Sequence, residues 1–250
     1  MCSEYEYYAR LKKVDESIGF TMRVPGRFLT DDKTFHVRLY DQAPIIVLGN
    51  DGNPEIQMAQ FSVKPPGTKY STFNARLADW DEQNQQFTRI FDKWTWKKPF
   101  IDRRCLVPMT SFYEPIYLGE NAGSIMTFKN PNDEVLLAAG IWDECKHPKV
   151  PDESYLGFAF IMHTALDVVL TSGHHRSPVF LRPRQALEYL VGEMSEEERF
   201  RFLLKERYEP QLVSSQFRSL ARGWEKRIKT NQEAHDEEME FARRFAKVVS

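Results

Sequence analysis

The rhythm of hydrophobic and polar positions divides this chain into a strand-like first part and a helix-like last part. From Thr34 to Leu48 the pattern is Phe-His-Val-Arg-Leu-Tyr and then Ala-Pro-Ile-Ile-Val-Leu, which predicts strand. Asn50-Asp51-Gly52-Asn53 carries an Asp-Gly turn signal, and 55–63 alternates again, so a hairpin is expected there. Lys64-Pro65-Pro66-Gly67 breaks the chain into a loop. Over 75–98, Trp80, Phe87, Ile90, Phe91 and Trp94 recur at roughly helical spacing and predict a helix with its aromatics in the core. Further strands are expected at 104–108, 111–115, 124–128, 135–142, 155–163 and 179–181, separated by turn signals at 120–123 and 130–133. From Pro183 onward charge rises and glycine almost vanishes. There 184–192, 195–206 and 229–248 read as helices, the last so charge-dense that a solvated or partner-facing role is expected. Residues 1–30 show no assignable pattern.

This sequence of elements predicts a β-rich core that closes with the strand at 179–181, followed by a helical C-terminal extension over 183–250. The aromatic content, 18 Phe, 10 Tyr and 5 Trp, favours such a strand-rich core. A net charge of −2 excludes a wholly basic nucleic-acid-binding surface but leaves room for a local basic groove. Three cysteines, Cys2, Cys105 and Cys145, with no CxxC pair, argue against a disulfide framework and a zinc site, and fit a reducing cytoplasm. No apolar run is long enough to span a membrane, and no signal-peptide core opens the chain.

A few residues sit awkwardly in a simple core. If Met1 is removed, Cys2 becomes the terminus and carries an α-amine beside a thiol. Both have reference pKa values near 8, so a useful fraction of each is unprotonated near neutrality. That pair suits an aldehyde: the amine forms an imine and the thiol closes on it as a thiazolidine. The alternative is an incidental cysteine in a frayed terminus. Asn74, in Asn74-Ala75-Arg76, reads equally as an N-cap of the expected helix. Glu114 lies in an aromatic stretch; burial would raise its pKa and suit it to acid catalysis, while a strand edge would simply expose it. Gly173-His174-His175-Arg176-Ser177-Pro178 precedes a strand, and alternation is expected to send the two histidines to opposite faces. The His-His pair lacks a recognisable third ligand, so no metal is expected. Arg103-Arg104 can contact phosphates or merely be solvated.

The ordered set of these motifs resembles the SRAP family of abasic-site processing proteins. It comprises Cys2, Asn-Ala-Arg (74–76), Arg-Arg-Cys-Leu-Val-Pro (103–108), Ser-Phe-Tyr-Glu (111–114), Ala-Gly-Ile-Trp (139–142) and His-x-Arg-x-Pro (174–178). The resemblance implies an α+β fold, with a compact, β-rich core and barrel-like antiparallel sheet over 2–182 and flanking helices. It also implies covalent capture of the ring-opened abasic sugar in single-stranded DNA, with no cofactor, by a monomeric cytoplasmic protein, nucleoid-associated if bacterial. It implies Cys2 as nucleophile, Asn74 as a holder of the terminus and sugar, Glu114 as acid or base in ring opening, and His174 in proton transfer. Arg76, Arg104 and Arg176 would bind phosphates, and an imine that fails to close would support lyase cleavage. Four departures mark a divergent member: Ser3-Glu4 after Cys2, Phe61-Ser62 for a Trp-Gly pair, Pro115 for an aromatic, and Ser177 for Met.

Two other readings stay open on the sequence. The same residue types can serve acyl transfer in an N-terminal-cysteine peptidase, although only Met1 precedes Cys2 for such an enzyme to remove. A single-strand-binding module that kept the fold and lost the chemistry is the other.

Overall fold

Residues 4–8, 34–146 and 153–249 are described by a computed structural model. Cys2 and Ser3 lie outside the described residues. Five strands close on themselves: β3 (Gln42–Leu48), β4 (Pro54–Phe61), β8 (Arg104–Met109), β11 (Leu136–Lys146) and β12 (Ser154–Thr164). The circuit runs β4–β3–β8–β11–β12, and β12 returns to β4 through a short parallel pairing at Gly157 and Phe158. Three short strands extend it: β5 (Asn74–Arg76) and β13 (Arg176–Pro178) on β12, and β14 (Phe180–Leu181) on β11. A second sheet is ordered β15 (Val213–Ser219), β10 (Ser124–Lys129), β9 (Ser111–Ile116), β1 (Glu4–Tyr8) and β2 (Thr34–Arg38).

Alternation along the barrel strands builds two cores from one wall. Ile46, Leu106, Ile141, Ala159 and Ile161 face α1 (Trp94–Asp102), α3 (Pro183–Val191), α4 (Glu196–Glu206) and α5 (Ile228–Val249), whose Phe100, Tyr189, Leu203 and Phe241 complete that cluster. Their neighbours Ile45, Val47, Cys105, Val107, Phe158 and Phe160 face the other way and pack with Tyr5, Phe112 and Phe128 of the second sheet. A strand buried on both faces reads as a continuous apolar run, which is why Ala-Pro-Ile-Ile-Val-Leu and Leu-Leu-Ala-Ala-Gly-Ile were visible in the sequence.

The expected α+β, β-rich fold is the one observed, as is the hairpin at Asn50–Asn53, where Gly52 adopts φ 78°. The helix at 195–206 starts where expected because Ser195 and Glu198 form a reciprocal capping box. Four local expectations fail. Residues 75–98 form an α-helix only from Trp94, after a single 3-10 turn at Ile90–Asp92: Ala78–Asp81 (β6) and Gln86–Arg89 (β7) pair as a hairpin. The Asp81 side chain accepts from the backbone N–H groups of Gln83 and Asn84, so turn chemistry overrides the helical spacing of the aromatics. Asn74 is therefore no helix N-cap; it opens β5 opposite Phe160. The 34–48 run is two strands in different sheets, divided where Tyr40 takes φ 73°. β15 was not expected, because nearly all of its side chains are exposed and such an edge strand has no apolar rhythm.

The last helix is also not the solvated rod its charge suggests. Phe241 and Phe245 are buried against Phe87, and Glu238 is fully buried, although most other described side chains of α5 are exposed or half-buried.

Candidate active site

Two elements bring the catalytic candidates together. β9 carries Glu114 on the same face as Phe112 and Ile116, the face turned into the second core. The loop after α2 (Asp167–Thr171) carries His174, and it reaches Glu114 by a tight turn at Gly173, where φ is +100°. A Cβ at Gly173 would lie 2.2 Å from the Leu118 carbonyl oxygen, so only glycine lets this loop pass the end of β9. The result is a buried pair: His174 Nε2 stands 3.4 Å from Glu114 Oε2.

Burial sets the charge of both members. It raises the Glu114 carboxyl to about 7, so this acid is part protonated at neutral pH. Burial, with His175 and Arg176 nearby, holds His174 well below its ordinary value and keeps it neutral. Arg176 holds the His174 ring in place: Nδ1 lies 2.9 Å from its carbonyl oxygen and 3.3 Å from its backbone nitrogen. Nε2 faces Glu114, and the two groups form a carboxyl–imidazole unit that can give or take one proton.

His175 does not point away as expected. Positions 174 and 175 lie in the loop before β13 rather than in a strand, so the two-residue alternation does not apply. Both are buried and their rings stack, centroids 5.0 Å apart. Burial and Arg176 hold His175 down to about 3.

Two candidate phosphate-binding residues flank this unit. Arg76 from β5 and Arg176 from β13 rise from strands on either side of β12. Both guanidiniums meet Glu238 Oε2, Arg76 Nη2 at 2.5 Å and Arg176 Nε at 2.8 Å, and Arg76 also pairs with Asp79. Alternation puts Asn74 on the same side of β5 as Arg76. Arg104 is elsewhere: its guanidinium donates to the Leu190 and Ile101 carbonyls and ties β8 to α3 and α1. Glu238 and His175 were missed by sequence reasoning. The i, i+3, i+7 set Glu238, Phe241 and Phe245 does mark one helix face, and that spacing is the signal that would have placed Glu238 inward.

Glu4, the first described residue, lies opposite Tyr113 in the β1–β9 pairing, one position from Glu114. Its carboxylate is bonded by His36 Nε2 at 2.9 Å and by Arg218 of β15. Burial alone would raise its pKa, but the hydrogen bonds from Arg218 and His36 prevail and lower it. The two described cysteines, Cys105 and Cys145, are free and buried, and burial pushes both thiols up. Among the described residues no group of three or more His, Cys, Asp or Glu can hold a metal ion, and no helix is long and apolar enough to cross a membrane.

The sequence model of the family described as SOS response associated peptidase (SRAP) matches residues 1–219. Two curated relatives from Bacillus subtilis, the abasic site processing proteins YoqW and YoaM, are 22% and 23% identical over 194 and 195 residues. These matches cover 76% of this chain and 80% and 79% of the relatives. Among solved structures, a phage-related protein from Bordetella bronchiseptica superposes with a TM-score of 0.65 at 19% identity, over 87% of this chain and 95% of that one. A Bacteroides thetaiotaomicron protein gives 0.63 at 19%, over 87% and 92%.

Proposed function

The chain belongs to the SOS response associated peptidase (SRAP) family, and from that premise we propose that it processes abasic sites in single-stranded DNA by capturing the opened sugar on Cys2. The observation that carries this reading is the buried Glu114–His174 pair, with the acid poised near neutrality. The relatives named as abasic site processing proteins support the substrate. The high thiol pKa of Cys105 and Cys145 leaves them poor nucleophiles, which favours Cys2.

An abasic sugar is mostly a closed hemiacetal. Protonated Glu114 donates to the ring oxygen as the ring opens, the C1 hydroxyl gives its own proton back to the Glu114–His174 pair, and the aldehyde is released. The Cys2 amine adds to that carbonyl, and a proton passes to Glu114 or to His174 Nε2. That proton and the second amine proton both reach the carbinolamine oxygen through the pair, and the oxygen leaves as water, giving an imine. The Cys2 thiolate adds to the imine carbon, the nitrogen regains a proton, and a thiazolidine results. An imine that does not close can lose the 3′ phosphate by β-elimination, which is the lyase branch. Capture requires removal of Met1, since an acylated amine cannot form an imine. The chain is short enough for this: only Ser3 separates Cys2 from Glu4, a span of at most about 7 Å, and Glu4 pairs beside Glu114. Arg76 and Arg176 hold flanking phosphates, and Asn74 holds the sugar or terminus. A missing base removes the need to flip one out.

The test is a denaturing gel of Met-processed protein with single-stranded DNA carrying one abasic site. A covalent band is expected from the wild type and none from Cys2→Ala. A band that persists in Cys2→Ala removes the nucleophile assignment. Cys2-dependent cleavage of a peptide with no DNA adduct would instead establish acyl transfer.

A further inference from the structure

We infer that the carboxylate of Glu238 occupies the phosphate position of the nucleic-acid groove, so that the first half of α5 must swing away before DNA can enter. The inference rests on the DNA-processing reading above and adds an occupant and a gate to it.

The cradle is built like an oxyanion site. Arg76 Nη2 and Arg176 Nε both reach Oε2 of Glu238, and the Thr164 hydroxyl donates to Oε1 at 3.1 Å. A phosphodiester is also a monoanion presenting two terminal oxygens, and paired guanidiniums are the usual partners of either group. The cradle adjoins the chemistry, because the Arg176 carbonyl fixes the His174 ring. A DNA strand held at Arg76 and Arg176 therefore needs the place Glu238 fills.

Two further observations point to a removable plug. The cradle residues lie within the family-matched span 1–219, whereas Glu238 comes from a helix beyond it. Residues 228–237 of α5 contribute no buried side chain; Glu238 is the first, and the apolar anchors Phe241 and Phe245 follow it. The helix can thus stay docked by its second half while its first half opens. The acidic run Asp236-Glu237-Glu238 and Glu240 lies along the same edge, where Asp236, Glu237 and Glu240 face Arg76 and Trp80 across a cavity. Negative charge beside the groove opposes a second polyanion until the helix moves.

The experiment measures binding of the full chain to undamaged labelled oligothymidylate of about 15 nucleotides, as wild type, Glu238→Gln and the double variant Arg76→Gln/Glu238→Gln. Glu238→Gln should bind at least about tenfold tighter, because it removes the competitor and raises the binding-competent fraction. The double variant should lose that gain. Equal or weaker binding by folded Glu238→Gln overturns the inference. If Glu238→Gln does not fold, hydrogen exchange of the wild type decides: saturating oligothymidylate should accelerate exchange at 229–240 and spare 241–249. Unchanged or slowed exchange at 229–240 overturns it. Abasic-site crosslinking separates the two readings. Wild-type crosslinking without tighter Glu238→Gln binding sinks the gate alone. Tighter Glu238→Gln binding with no crosslink from any variant sinks the crosslinking reading and leaves the gate.

Discussion

Glu114 is a carboxyl group held where water does not reach, and its raised pKa has a measurable consequence. The folded chain binds the Glu114 proton more tightly than the unfolded chain does. Its stabilisation is therefore complete below the ordinary carboxyl value of 4.5 and is lost as pH rises through about 7. His174, depressed by burial, has the opposite slope: it stabilises above its ordinary 6.5 and loses that as pH falls. Glu114→Gln stays neutral at every pH. The stability difference between Glu114→Gln and wild type should open between pH 4.5 and 7 and reach about 3 kcal/mol in favour of the variant above pH 8. Urea unfolding across that range measures it. A flat difference would show that Glu114 titrates normally. The same variant should slow crosslink formation, since it cannot donate a proton to the sugar. Glu238 carries the reverse cost. Removing its charge leaves Arg76 and Arg176 facing each other, so Glu238→Gln is expected to lose about 3 kcal/mol of stability, read as a lower urea midpoint.

At the scale of elements, the site depends on a turn and on strand pairing rather than on a motif in one segment. Gly173 passes His174 beneath the Leu118 carbonyl, with a backbone angle that side chains rarely adopt. Gly173→Ala should cost about 3 kcal/mol in unfolding free energy. It should also lower the crosslinking rate more than Ser214→Ala on the exposed edge strand does, because it displaces His174 from Glu114. Equal crosslinking rates in those two variants would show that His174 placement is unimportant. Motifs that lie inside one strand, such as Phe-Tyr-Glu in β9, were legible because alternation and turn signals bound them. The Asn74–Trp94 segment was misread because spacing alone does not separate a helix from a hairpin whose turn is fixed by one aspartate.

For the whole molecule, a net charge of −2 means that attraction to DNA comes from local cations and not from the overall field. With two phosphate contacts, at Arg76 and Arg176, the logarithm of the single-strand binding constant should fall with the logarithm of salt at a slope of about −1.4. Arg176→Gln should reduce that slope by about 0.7. An unchanged slope would remove Arg176 from the interface. Arg104→Gln should leave it unaltered, because that guanidinium is spent on the Leu190 and Ile101 carbonyls inside the protein. The Ser3-Glu4 start has its acid paired within the fold with Arg218 and hydrogen-bonded by His36, so the departure weakens DNA binding less than its charge suggests.

What the chain's order of residues determined by itself was local: strand runs buried on both faces, the Asp-Gly hairpin, the capping box at Ser195, and which residue types stand in which motif. Each of these is decided by neighbours within a few positions. Tertiary structure alone decided the rest. Glu114 and His174 are 60 positions apart in the chain and meet only because β9 and the Gly173 loop pack together. Arg76, Arg176 and Glu238 converge because β12 holds β5 and β13 on its two edges and two phenylalanines seat the last helix over them. Proton affinity and ion pairing depend on burial and distance across the fold, and neither is a property of a residue's neighbours in sequence.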